Sequence, residues 1–285
     1  MFSVVKSLTR IFLPLVALAG PNPDAGLQAN AAERPIDGIM DNSFFIEEAY
    51  NQEPGVVQHI FTGFGNANRL PGPDDRAWDL SFTQEWPVFS QKHQFSYTVP
   101  YSFLESGGVQ SNGVGDVLLN YRFQALFNPK TLTAFAPRAS LVLPTGDEER
   151  GFGDETLGYQ VNLPFSTTLG DRWFVHLNAG ATWLPDSASG RDLWHSNIGG
   201  STIFAATSNV HFLVEWIGNW NDEAEGREFV SIISPGVRTA FNFKNDTQFV
   251  LGVAAPIGVT GSAPDYGVFL YVSFEHAFLK QESVQ

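Results

Sequence analysis

Eight charged residues pose the first chemical question: Asp79, Glu85, Asp116, Glu215 and Glu275 against Arg122, Arg138 and Arg238. Each takes the polar position in a stretch where apolar and polar residues alternate. Successive side chains of a strand point to opposite faces. On strands, all eight would therefore face away from the apolar side. Carboxylates and guanidiniums opposed across a narrow passage set a transverse field, which is the chemistry of a selectivity filter. The same groups can instead be structural, pairing across a filled interior so that buried charges compensate one another.

The histidines offer a second chemistry. His176, His195 and His211 fall on the inward parity of three successive stretches, while His59, His93 and His276 are scattered. No His-x-His or His-x-x-x-His pair occurs, so a transition-metal site has little support, and no metal or cofactor is assigned. Ordinary polar lining is the expected role of the three. Trp194-His195-Ser196-Asn197-Ile198-Gly199 is superficially similar to the His-x-Ser-Asn-Gly stretch of outer-membrane phospholipases. Here the His and Ser are adjacent, so on a strand they face opposite sides and cannot share a base–nucleophile hydrogen bond without a bulge. The expectation is a protein without catalytic residues.

Acids also crowd the longer connectors: Asp147, Glu148, Glu149 and Asp154 in one, Asp222, Glu223 and Glu225 in another. Such clusters serve as a solvated rim, as a field gathering cations at a mouth, or as carboxylates bridged by divalent ions to lipopolysaccharide phosphates.

The elements that position these groups are strands. In Arg172 to Leu184, one parity reads Trp173, Val175, Leu177, Ala179, Ala181, Trp183 and the other Phe174, His176, Asn178, Gly180, Thr182. At ~3.4 Å per residue and ~45° tilt, the two tryptophans sit roughly 24 Å apart along a membrane normal, the height of a transmembrane barrel's apolar band. The pattern recurs, as in Trp78, Leu80, Phe82 and Trp86 against Asp79, Ser81, Thr83 and Glu85. Twelve such segments run from Val56 to Phe278, near 56–65, 77–87, 92–104, 113–127, 131–143, 154–168, 171–184, 193–206, 209–220, 228–243, 246–259 and 265–278. Connectors alternate between tight turns and longer loops, the latter including 105–112, 144–153 and 221–227. That is the rhythm of an outer-membrane barrel. The expected fold is thus all-β, a transmembrane antiparallel up-and-down barrel of about twelve strands. Its backbone diameter is roughly 26 Å, which leaves a narrow lumen and favours charge pairing over an open channel.

Residues 1–31 read as a secretory signal, with Lys6 and Arg10 before an apolar core from Ile11 to Gly20 and a small-x-small site at Ala29-Asn30-Ala31. Its removal would make the mature chain one charge more negative than the full chain's −14. Residues 32–55 form an N-terminal lead-in. Phe45, Ile46, Ala49 and Tyr50 share a helical face, so a short helix plugging the periplasmic mouth is expected, with an extra strand or a lead-in as the alternative. Residues 56–278 form the barrel and 279–285 a C-terminal tail. The acidic balance excludes nucleic acid as a partner. The absence of Cys from the 285 residues excludes disulfides and thiolate chemistry.

Four stretches, in this order, carry a resemblance: Gly113-Val-Gly-Asp-Val-Leu-Leu-Asn-Tyr-Arg122, Leu143-Pro-Thr-Gly-Asp147, Ser234-Pro-Gly-Val-Arg238 and Ala263-Pro-Asp-Tyr-Gly-Val-Phe269. Over residues 56–278 the chain resembles the outer-membrane transporter family associated with meta-pathway phenol degradation. The resemblance implies a cell-outer-membrane barrel that passes small, aromatic or hydrophobic compounds, and it carries over no catalytic residue. Expected partners are outer-membrane lipid and lipopolysaccharide, a small-molecule solute, and the barrel assembly machinery, which reads a terminal aromatic such as Phe278. The alternatives are a non-conducting structural or binding barrel with a plugged lumen and, more remotely, an outer-membrane lipase.

Overall fold

The computed structural model describes residues 38–39, 43–67, 76–106, 108–223, 226–243 and 247–278. The signal sequence, the C-terminal tail and Glu225 lie outside the described residues, as does the side chain of Glu223. Within them the chain is one closed antiparallel barrel of twelve strands, in sequence order. Eight strands are unbroken: β1 (Val56–Ala67), β2 (Arg76–Val88), β3 (Ser90–Ser106), β7 (Trp173–Leu184), β8 (Leu193–Ala205), β9 (Val210–Glu223), β10 (Gly226–Asn242) and β12 (Tyr266–Ala277). β4 runs as Val109–Val114, Val117–Phe123 and Leu126–Asn128, and β5 as Thr133–Phe135 and Arg138–Leu143. β6 runs as Gly158–Asn162 and Phe165–Thr168, and β11 as Gln248–Ala254 and Ile257–Gly258.

The barrel closes where β1 pairs with β12, from Val56 opposite Ala277 to Ala67 opposite Tyr266. Breaks in β5, β6 and β11 fall at Pro137, Pro164 and Pro256, which have no N–H to give the ladder. Neighbouring groups bridge the gaps: the Pro137 carbonyl accepts from Phe123 N–H at 3.0 Å and the Pro164 carbonyl from Ala136 N–H at 3.1 Å.

Two expected long loops are strand instead. Residues 105–106 and 109–112 extend β3 and β4, and 221–223 and 226–227 extend β9 and β10, pairing up to Ser106–Val109 and Glu223–Gly226. Their polar residues read as loop in the sequence, yet a strand that projects beyond the bilayer has no apolar face to keep. The loops that remain long at that end include 144–157, 185–192 and 259–265. The opposite end carries tight turns.

Side-chain facing follows the alternation. Phe61, Trp78, Leu80, Phe95, Phe212, Val214, Trp216 and Leu270 are exposed on the outside, while Gln94, Ser96, Asn120, Ser201 and Ser273 are buried inside. An apolar exterior around hydrogen-bonded strands without an edge is what a bilayer requires. Aromatic contacts mark both rims. Trp183 stacks on Trp194 (5.9 Å) and Tyr159 (5.7 Å) near the long loops, and Trp173 meets Phe204 (5.0 Å) near the short turns.

The interior departs from simple alternation, because part of it is apolar. Ile60, Phe64, Phe174, Ile203, Leu213, Val250, Phe269 and Tyr271 face inward and form one cluster with Ile39 and Phe44. That cluster exists because the N-terminal segment lies inside the barrel. The expected helix over this segment does not form: residues 43–55 contain no helical turn. Its N–H groups are taken by wall side chains instead of its own carbonyls. Phe44, Phe45 and Ile46 donate to Glu215 (3.0, 3.1 and 3.1 Å), Glu47 to Asn178 (2.9 Å), Ala49 to Ser166 (2.8 Å) and Gln52 to Gln94 (2.8 Å). A short helix must meet a nucleation cost before it gains any bond, and a wall with ready acceptors removes that need.

Wall glycines make room for the segment. A methyl at Gly236 would lie 2.7 Å from the Phe44 ring, and one at Gly199 would lie 2.5 Å from Ile46 Cδ1. Burying such an aromatic ring against the wall stabilises docking by about 1.5–3 kcal/mol.

Candidate functional site

The charged residues of the wall meet the N-terminal segment more than one another. Arg122 and Arg138 are direct cross-strand partners on β4 and β5, a like-charge pair that is unfavourable when left alone. Glu47 lies between them. Its Oε1 is 2.9 Å from Arg122 NH1 and its Oε2 is 2.7 Å from Arg138 NH2, with all three side chains buried. Asn162 donates to the same Oε2 at 2.9 Å. Arg122 also donates to Asn51 Oδ1 (2.8 Å) and to the carbonyls of Glu48 (3.0 Å) and Tyr50 (2.7 Å), so one guanidinium holds four residues of the segment.

Glu48 makes the second anchor. Its Oε1 lies 3.4 Å from Arg238 NH2 and 3.6 Å from His176 Nε2. His176 Nδ1 is 2.7 Å from Ser166 Oγ, the acceptor of the Ala49 N–H. Glu215 is the third anchor, through the three N–H groups named above. Glu85 stays on the wall, 3.8 Å from Arg122 NH2 and accepting from Gln94 Nε2 at 2.6 Å. Glu275 is buried on the inner face, level with Gln58 and Gln248.

Above this segment, toward the long loops, lies a cavity of about 480 Å³. Its floor is Phe44 to Glu47. One side is apolar, with Ile60, Phe64, Phe269 and Tyr271. The other carries hydroxyls and amides, among them Thr83, Ser96, Thr98 and Asn120, together with Asp79. Loop 144–157 folds over the rim. Asp116 holds it, Oδ1 accepting from Gly146 N–H (2.9 Å) and Oδ2 from Asp154 N–H (3.1 Å). That arrangement seats Phe152 against Gly113 and brings Glu148 and Asp154 to the cavity wall. Asp116 is therefore a loop anchor at the site. Asp116→Ala is expected to free the loop and to speed tryptic cleavage after the exposed Arg150 by at least about tenfold, the low end of the worth of one lost charged hydrogen bond; an unchanged rate would contradict that role.

Other expected residues lie apart. His176, His195 and His211 are all buried inward but do not converge. His176 is level with Ser201 and Glu215, whereas His195 sits opposite Thr182 near the long loops and His211 opposite Ala205 near the short turns. No group of three metal-ligating side chains occurs among the described residues. His195 and Ser196 pair in unshifted register with Thr182 and Ala181 of β7, and Ser196 also with Trp220 of β9, His195 buried inward and Ser196 on the other face. Asp147 is exposed and 4.0 Å from Arg150 NH1, and Glu149 is exposed. Asp222 binds Arg227 (2.6 Å) and accepts from Trp194 N–H (3.1 Å), which ties β8, β9 and β10 together at the rim.

Glu47 and Glu48 were not among the residues that sequence pattern pointed to. A signal for them existed. Arg122 and Arg138 lie eight residues on either side of Lys130, so a hairpin turning there brings the two guanidiniums close and calls for an anion, although the register beside the turn (Asn128 opposite Thr133) shifts by one residue before it sets them directly opposite.

No protein-family model matches the chain, and no curated protein matches its sequence. Among solved structures, an outer-membrane channel from Pseudomonas putida F1 is similar, with a TM-score of 0.57 at 12% identity, covering 80% of this chain and 97% of that one. A NanC porin gives a TM-score of 0.48 at 8% identity over 77% of this chain and 98% of its own. The first likeness shows the fold, that of an outer-membrane β-barrel; the second carries no argument.

Proposed function

We propose that the protein is an outer-membrane channel for passive uptake of small aromatic or hydrophobic molecules, entered through the cavity and gated by residues 43–52. The observation that carries this reading is the separation of wall from obstruction. Twelve strands enclose a continuous lumen, and what stops it is a segment held by side-chain contacts, outside the strand ladder. The aromatic side of the cavity, where Phe45 meets Phe269 at 4.4 Å and Phe44 meets Tyr271 at 5.5 Å, supports an aromatic solute. The resemblance of residues 113–122, 143–147, 234–238 and 263–269 to the phenol-degradation transporter family points the same way.

Under this reading residues 1–31 direct export and the short turns face the periplasm. The assembly machinery reads the end at Phe278, and the acidic loops 144–157 face lipopolysaccharide. The second reading, a non-conducting binding barrel, is favoured by the threefold anchoring of the segment. Planar-bilayer recordings on the full chain and on a variant lacking residues 38–52 separate the two. Conductance steps that are small or rare in the full chain and grow severalfold in the variant are expected. Silence from both would leave only the binding barrel.

A further inference from the structure

We propose that the cavity above Glu47 is a recognition site for a small organic monocation with an aromatic body, an amine in the simplest case, and that Asp79 is the residue that receives its charge. The inference deepens the channel reading by naming the class of solute for the same cavity.

Charge supplies the first argument. Among the described residues that line the cavity, six are acids, Glu47, Asp79, Glu85, Asp116, Glu148 and Asp154, and one is a base, Arg138. Most of these acids are already engaged. Glu47 is held by two arginines, Glu85 faces Arg122 and Gln94, and Asp116 is taken up by loop N–H groups. Asp79 differs. Its Oδ1 accepts from Ser102 Oγ at 2.7 Å, while its Oδ2 is buried without a hydrogen-bond partner among the described residues. A buried carboxylate oxygen with no donor is costly, and a cation in the cavity would supply the missing partner.

The neighbours of Asp79 supply the second, independent argument. Inward positions on adjacent strands run in one cross-barrel row: Phe269, Phe64, Asp79, Ser102, Gly113. Directly opposed side chains have Cβ atoms roughly 5 Å apart, so the Phe64 ring borders the carboxylate. Phe45 closes on that ring edge-on at 5.7 Å and on Phe269 at 4.4 Å. At the other end of the row, Phe152 covers Gly113, where a methyl group would meet its ring at 2.6 Å. A carboxylate beside an aromatic ring is an arrangement that attracts a cation through both charge and ring quadrupole; the more distant Phe152 ring already carries the Arg150 guanidinium, 5.3 Å from its centroid. A neutral phenol could donate one O–H to Asp79 Oδ2 but would leave the carboxylate charge uncompensated, and an anion would face uncompensated acids.

Size agrees. A volume of about 480 Å³ falls in the usual range for small-molecule sites, which are mostly apolar with a few fixed polar groups. Glu148 and Asp154 at the rim would draw a cation toward the entrance.

The test is calorimetric titration of the full-length protein in detergent with benzylamine, benzyl alcohol and benzoate, which share a ring and differ in charge. Benzylamine is expected to bind at least about tenfold more tightly than benzyl alcohol, with no binding of benzoate. Asp79→Asn should remove that preference while leaving benzyl alcohol unchanged, which also reports that the cavity is intact. Phe64→Leu should weaken both by about threefold. Equal affinity for amine and alcohol on the native protein, or an amine preference that survives Asp79→Asn, would overturn the proposal. Neither outcome bears on conductance. A silent barrel that prefers benzylamine would refute transport alone, and a conducting one without the preference would refute this site alone.

Discussion

Replacing Glu47 by alanine is expected to release residues 43–52 from the lumen. The carboxylate bridges Arg122 and Arg138, whose side chains are 2% and 4% exposed, at 2.9 and 2.7 Å. Removing one partner of a buried ion pair costs about 3–5 kcal/mol, because the remaining charge stays desolvated. Here two guanidiniums face each other across β4 and β5 once the acid is gone. The strands need not break to relieve this. Undocking the segment admits water to both arginines, so the penalty appears as loss of docking, and the strand ladder is untouched. A shift of 3–5 kcal/mol corresponds to about two to nearly four powers of ten in the docking equilibrium. The chain has no cysteine, so a single Ala49→Cys at a fully buried position gives a clean reporter. Maleimide labelling of Cys at 49 should be slow in the parent and at least tenfold faster with Glu47→Ala, by the same arithmetic. Glu47→Gln keeps acceptor geometry without charge and should fall between them. Equal labelling in all three would show that the arginines do not hold the segment.

Glu215→Ala should have the next largest effect, and its sign is less one-sided. Its carboxylate accepts the N–H groups of Phe44, Phe45 and Ile46, and hydrogen bonds to a charged group are worth about 1.5–3 kcal/mol each. They share one acceptor, so their sum is not additive. The substitution also removes a buried charge whose desolvation opposed docking. The net loss is therefore expected to stay below that of Glu47→Ala, where removal of the acid leaves Arg138 without its carboxylate and Arg122 with only Glu85, 3.8 Å away. What distinguishes the variants is location. Without Glu215 the Phe44 ring should leave its notch at Gly236 and Gly252 while Arg122 still holds Tyr50 and Asn51. Labelling of a cysteine placed at Phe44 should then rise more than labelling at Ala49. A uniform rise at both positions would mean that the segment docks as a single unit with no independent upper turn.

Strand and facing were legible in the sequence because each wall residue obeys a local rule. Trp78, Leu80 and Phe82 point outward, and Asp79, Ser81 and Thr83 inward, whatever else the barrel contains, since alternation is a property of one strand and a bilayer outside it. The twelve segments, the closure of first on last and the inward arginines all follow from that rule. The projecting hairpins at 105–112 and 221–227 did not, because beyond the bilayer no apolar face marks a strand.

The N-terminal segment obeys no such rule. Phe45, Ile46, Ala49 and Tyr50 fit a helical face, and nothing within ten residues of them argues otherwise. The deciding partners, Glu215, Asn178, Ser166, Arg122 and Gln94, lie between 42 and 171 positions away in sequence. The same holds for the charges. Alternation alone places Asp79, Arg122, Arg138 and Arg238 facing an enclosed interior. That the arginines close that interior on Glu47 and Glu48 while Asp79 is left facing the cavity is visible in the folded barrel and nowhere earlier. Facing is settled by each residue's own strand, whereas pairing is settled by a Coulomb energy that falls with distance in space and is indifferent to distance along the chain.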